Sequence, residues 1–136
     1  MSSDIPGLNP RREAREEALA LLYQAELTVA PVDDALAARE IAPEPYAIEI
    51  AEGVDDQLDD LDALIGRHLN NWRIERMPIV DRVIARMAAW ELVARDDVPT
   101  GVVLSEAVEL ASQYCGEKSA PFLNGVLSSV AAEVRD

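Results

Sequence analysis

Apolar residues along the chain recur at steps of three and four, the spacing that places side chains on one face of an α-helix. Over residues 11–29, Ala14, Ala18, Leu21, Leu22, Ala25 and Val29 fall on one stripe, and Pro31 ends the segment. A short helical turn is expected over residues 33–39, with Ala35 and Leu36 inward, followed by the linker IAPEP at 41–45. The same spacing predicts one long helix over 46–69. Ala51, Val54, Leu58, Leu61, Ile65 and Leu69 point inward, and Trp72 caps the apolar stripe. Asp55, Asp56, Asp59, Asp60 and Asp62 occupy its outer surface. Pro78 suits the first turn of the next helix, where a missing N–H costs nothing. That helix, IVDRVIARMAAWELVA, is apolar on most sides. Val80, Val83, Ile84, Met87, Ala88 and Trp90 make it the candidate centre of the core. A fifth helix is predicted over 102–114, with Leu104, Ala107, Val108 and Ala111 inward. Gly116 reads as its left-handed stop, and Ser119 as the N-cap of the last helix. Phe122, Leu123, Val126, Leu127, Val130 and Val134 form the stripe of that helix. Asn124 and Gly125 both disfavour helix interiors. They read as architectural, Gly125 permitting close helix contact and Asn124 bonding a loop backbone. No alternating strand pattern or hairpin dipeptide appears.

The pattern gives an all-α, compact single-domain helical bundle, with residues 1–10 a flexible tail and 11–136 the domain. A length of 136 residues agrees with one domain. Hydrophobic content of 49% supports a real core, and 4% aromatics makes that core aliphatic. The single cysteine excludes an internal disulfide, and the single histidine excludes a His cluster. The start of the chain does not read as a signal peptide, and no apolar run is long enough for a membrane span, so a reducing cytoplasm is the expected location. The formal charge of −14 argues against non-specific attraction to nucleic acid or anionic membrane.

Searches for chemistry return little. No glycine loop matches a phosphate or dinucleotide fingerprint, and there is no Gly-x-Ser-x-Gly elbow. Nothing brings Cys115 to His68; Cys115 reads as a small buried hydrophobe and His68 as a boundary residue near a helix end. The aspartates from Asp55 to Asp62 lack a calcium-loop pattern. They read as a solvated acidic face, with a weak divalent-ion or basic-partner surface as the alternative. The expectation is a protein that is not an enzyme, with no metal and no cofactor. The arginines Arg11, Arg12 and Arg15 stand out, because they oppose the dipole at a helix N-terminus. Arg12, Arg15, Leu19 and Tyr23 share one flank of the first helix, and Glu13, Glu17 and Gln24 the other. Two readings stand: an anion or RNA patch, or surface dressing with local ion pairs.

Three stretches carry a family resemblance. They are the arginine cluster running into REEALALLYQAEL, then DRVIARMAAWEL with DVPTGVVLSEAVELA, then FLNGVL. In this order they resemble the NusB family of bacterial transcription antitermination factors, and with their spacers they cover nearly the whole chain. The resemblance implies an all-helical module that pairs with ribosomal protein S10. The pair binds boxA-like RNA in rRNA leaders and serves the RNA polymerase antitermination complex. It implies RNA-binding roles for Arg11, Arg12, Arg15, Lys118 and Phe122, and an S10-facing surface at Tyr23 and Glu91. Each residue also has a plainer reading: Phe122 and Trp90 in the core, Tyr23 as half-buried packing, Glu91 paired with Arg95. Glu13, Glu16 and Glu17 interleave with the arginines, where the family has a denser basic start. An acidic protein-interaction adaptor without direct RNA binding is therefore the alternative function, and both monomers and homodimers occur among relatives. The RNA reading carries a geometric expectation. The first helix lies beside the start of the last, Arg15 and Phe122 open onto one groove, and the aspartate stripe faces elsewhere.

Overall fold

The computed structural model describes residues 10–70 and 72–135. Most of the expected tail, residues 1–9, lies outside them. Among the described residues seven α-helices follow in order: α1 (Pro10–Thr28), α2 (Val32–Ala37), α3 (Pro45–Asp56), α4 (Leu58–Gly66), α5 (Ile79–Ala94), α6 (Thr100–Tyr114) and α7 (Ser119–Val134). A 3₁₀ turn, Ile74–Arg76, precedes α5. The fold is all-α.

α5 is the centre. It packs against α1, α3, α4, α6 and α7, and every residue from Val83 to Leu92 is buried. Its all-round apolar pattern is what a helix surrounded by neighbours requires. α1 runs antiparallel to it. Arg15 of α1 meets Glu91 near the end of α5, and Glu26 of α1 meets Arg82 and Arg86 near its start.

The helix expected over 46–69 is two helices. Gln57 leaves the helical basin (φ −114°, ψ 25°) between α3 and α4. Across the break Gln57 N–H still reaches Gly53 O and Leu61 N–H reaches Gln57 O. It lets one continuous apolar stripe serve two neighbours. α3 packs on α1, whereas α4 reaches α7.

Trp90 is buried, and its indole lies against α3 at Gly53. A Cβ at Gly53 would stand 2.2 Å from Trp90 Nε1 and 2.4 Å from Cε2. Only glycine admits this approach, although it costs α3 about 1 kcal/mol of helix propensity.

Several local expectations are corrected. Val29 is 91% exposed and left-handed, at φ 50°. It occupies the position after α1 where Ala30 N–H reaches Ala25 O and Val29 N–H reaches Glu26 O, a loop closure usually made by glycine. In α6 the buried face is Val103, Glu106, Ala107, Leu110 and Ala111. Leu104 and Val108 are only half-buried, because the helix is turned by about one residue from the expected register. Gly116 is not left-handed. α6 stops because Cys115 is extended, at φ −120° and ψ −176°. Ser119 is the first residue of α7 and not its cap; its hydroxyl donates to Asp81 Oδ2 at 2.6 Å. Gly125 and Asn124 are exposed, and a Cβ at Gly125 would meet no atom. The pair therefore faces solvent and supports no helix contact. Trp72 is 51% exposed and caps nothing.

Arg135, just past α7, ties the fold together. Its guanidinium donates to the carbonyls of Glu91, Leu92, Arg95 and Val98 and to Thr100 Oγ1. These include carbonyls at the end of α5 that have no partner within the helix, where a cation is also favoured.

Candidate nucleic-acid interface

The three arginines at the start of α1 have three different environments. Arg15 is 2% exposed. Its Nε and Nη2 fork onto Glu91 at 2.9 and 2.8 Å, and Tyr46 Oη donates to the same carboxylate at 2.5 Å. Burial opposes the Arg15 charge, but hydrogen bonding and proximity to Glu91 outweigh it and hold its pKa above the ordinary value. The Tyr46 hydroxyl is pushed up by burial and then by Glu91, so it stays a donor. Glu91, also 2% exposed, is fully engaged inside the protein. Arg15 and Glu91 are thus buried partners of each other. Neither presents its charge to an RNA or a second protein, and the pairing of Glu91 with Arg95 is not formed. Arg95 instead holds Asp97 and Glu49.

Arg12 stands further out. Its Nε and Nη2 fork onto Glu106 of α6 at 3.1 and 2.7 Å, while its side chain remains 45% exposed. Arg11 is 43% exposed, 3.8 Å from Asp97. Its guanidinium lies 4.6 Å from the centre of the Tyr46 ring, which also carries Arg95 at 4.9 Å. Hydrogen bonding from Arg95, with a smaller contribution from Arg11, holds the Asp97 carboxyl down at about 2.

Lys118 and Phe122 belong to a second locus. With Trp72, Met77, Pro78, Asp81 and Ser119 they line a largely apolar cavity of about 320 Å³. The Trp72 and Phe122 rings stand 6.0 Å apart, tilted by 50°. Lys118 is exposed, and Phe122 is half-buried against the core. Asp81 is buried beneath, accepting from Ser119. Cys115, half-buried alongside, is pushed up to about 12 by burial and by Asp81, which keeps it a thiol.

The single groove expected between Arg15 and Phe122 does not form. α1 packs against α2, α3 and α5, and the start of α7 lies at the other end of α5, where Ser119 meets Asp81. Arg12 sits at Glu106, within α6, whereas Lys118 follows the end of α6. Eight helical residues from Glu106 to Tyr114 span about 12 Å, so the cations form two clusters along one helix. Trp72, which the apolar periodicity places at the end of a stripe, instead lines the Phe122 cavity. The signal available was a large aromatic placed after the last inward position, next to two asparagines.

Tyr23 is 37% exposed, and Leu27, one turn on, is 55% exposed. Together they form an apolar strip on the outer face of α1. Asp56, Asp59 and Asp60 are exposed, but Asp62 binds Arg86 at 2.7 and 2.8 Å. None of the five aspartates lines the Phe122 cavity. His68 and Arg67 both bind Glu133 of α7. Among the described residues no group of three or more His, Cys, Asp or Glu side chains is placed to hold a metal ion, and no helix is long and apolar enough to cross a membrane.

Comparison with known proteins matches residues 12–132 to the NusB family model. The chain is 38% identical over 126 residues to the transcription antitermination protein NusB of Bacillus subtilis (strain 168), covering 91% of this chain and 96% of that protein. It is 41% identical over 134 residues to the protein of the same name from Clavibacter sepedonicus, covering 92% and 98%. Among solved structures, T. maritima NusB superposes with a TM-score of 0.85 at 31% identity, covering 94% of each chain. A chain from the crystal structure of antitermination factors NusB and NusE in complex with dsRNA superposes at 0.79 with 26% identity, covering 91% of this chain and 97% of that one.

Proposed function

Since the chain belongs to the NusB family of transcription antitermination factors, we propose that it pairs with ribosomal protein S10 and holds boxA-like single-stranded RNA from rRNA leaders. The observation that carries this reading is the likeness to a chain in the NusB–NusE–dsRNA complex. NusE there takes the place that the family resemblance gives to S10. The RNA of that complex is double-stranded. A single strand is favoured here because the exposed groups are suited to unpaired nucleotides. Arg11 and Arg12 place partly exposed positive charge where phosphates can approach, Phe122 offers an aromatic ring to a base, and Lys118 offers a point charge beside it. Tyr23 and Leu27 form the S10-facing strip. Arg15 and Glu91 serve the site from inside, by fixing α1 to α5.

A second reading, the acidic adaptor without RNA contact, is favoured by one observation: Glu106 and Glu91 already engage two of the three arginines. Exchanging Arg11 and Arg12 together for glutamate separates the two. Arg15 is left intact, because a glutamate there would be buried against Glu91. With S10 present, the Arg11→Glu/Arg12→Glu variant should lose most of its affinity for a boxA-like oligonucleotide while retaining its S10 affinity and its circular dichroism spectrum. Unchanged RNA affinity in that variant would remove the arginines from the site, and absence of RNA binding by the unmodified pair would establish the adaptor reading.

A further inference from the structure

Trp72 has no role in the core. Half of its surface is exposed, yet its ring is held 6.0 Å from Phe122. The chain contains only two tryptophans, and the other, Trp90, is buried against Gly53. Large aromatic groups left at the surface beside a cavity are costly in water and mark contact sites. The cavity beside Trp72, Phe122 and Pro78 is largely apolar, with Asp81, bonded by Ser119, also in its lining and Lys118 as its cation. Among the described residues Lys118 makes no ion pair with a carboxylate. An apolar cavity bordered by two tilted rings in contact, with one exposed ammonium at its edge, is complementary to one nucleotide: the base stacks on the exposed ring surface, and its phosphate meets the lysine. A basic peptide would be repelled by Lys118, and an aliphatic side chain would leave the ammonium without a counterion.

We propose that Trp72 and Phe122 form a two-ring platform that takes one unstacked base of a single-stranded RNA, with Lys118 on the adjacent phosphate. This deepens the reading above and rests on it, and it adds Trp72 to the RNA-contacting residues. No base edge need be read, because every base offers a π-face; the platform supplies affinity and discriminates against duplex, in which bases are not free to splay.

Tryptophan emission reports on the platform directly. The full chain with S10 is titrated with a boxA-like single-stranded oligonucleotide and with the same sequence as a duplex. The single strand should quench emission, and the Trp72→Phe variant should bind within a few-fold of the unmodified chain while losing that quenching. Comparison of the two removes any signal from S10. The Trp72→Ala variant should weaken single-strand affinity by roughly 5- to 150-fold, with little effect on S10 binding. Single-strand binding at full affinity by Trp72→Ala, without quenching in the unmodified chain, would overturn the platform and leave the RNA function standing. No RNA binding by the unmodified chain with S10 would overturn both. Equal quenching by duplex would overturn the stacking of a splayed base on the platform.

Discussion

Arg15 shows how far a residue's role depends on the partner it finds across the fold. Its helical angle lies near the edge of the α1 apolar stripe, so the sequence left it able to point either way. Glu91 carried the clearer signal. A glutamate on a helix apolar all round has no solvent face, and a carboxylate so placed needs a cation. What the sequence lacked was the 76-residue connection between them, which only the antiparallel packing of α1 and α5 makes. Removing one partner of a buried, hydrogen-bonded ion pair leaves the other charge stranded, at a cost of about 3–5 kcal/mol. Arg15→Ala should therefore lower unfolding stability in urea by about that amount, whereas Arg15→Met combined with Glu91→Leu should cost much less. A single-variant loss under about 1 kcal/mol would show that water reaches the pair. The same pairing holds Glu91 inside the fold, where it fixes α1 to α5 and lies away from the exposed Tyr23–Leu27 strip.

At the scale of elements, the apolar periodicity of the chain yields α1, α5, α6 and α7 within a residue or two of their ends. It fails at Gln57, because the inward spacing continues unbroken through the bend and no proline or glycine marks it. The α6 register slipped for a related reason. Glu106 is buried by its pairing with Arg12, and polarity alone would have placed it outside. Gly53 was passed over because a glycine within a helix announces nothing about its neighbour. Its contact with Trp90 makes a definite expectation. Alanine is the better helix former by about 1 kcal/mol, but its methyl would fall on the indole, and overpacking of this kind costs about 1–3 kcal/mol. Gly53→Ala should lower the melting temperature and alter the near-ultraviolet circular dichroism of Trp90. An increase in melting temperature with an unchanged spectrum would show that the two helices separate without cost. Val29 presents the opposite case: an exposed β-branched residue in a left-handed turn, strained for a closure that glycine makes freely.

At the scale of the molecule, the charge of −14 and the arginines are parts of one arrangement. Arg15, Arg82, Arg86, Arg95 and Arg135 are engaged in internal pairing or backbone clamps. Among the cations at the surface are Arg11 and Arg12 at the start of α1, Lys118 near Phe122, and Arg67, Arg73 and Arg76. This separation was not legible in the sequence, whose pattern puts Arg15 and Phe122 on one groove. Fields from the acidic remainder are screened beyond about 8 Å at physiological ionic strength, so a strand lying on α6 would feel chiefly these local cations. A strand held by so few cations should have few phosphates neutralised, and affinity by the chain alone should be weak. A basic partner at the Tyr23 strip would add positive surface and steer the strand. The most direct measurement is the affinity of the unmodified chain for a boxA-like single-stranded RNA, with and without S10, over a series of salt concentrations. Expected are weak binding by the chain alone, a large gain with S10, and a shallow dependence on salt. Failure of S10 to bring any RNA binding would contradict the proposed function at its centre.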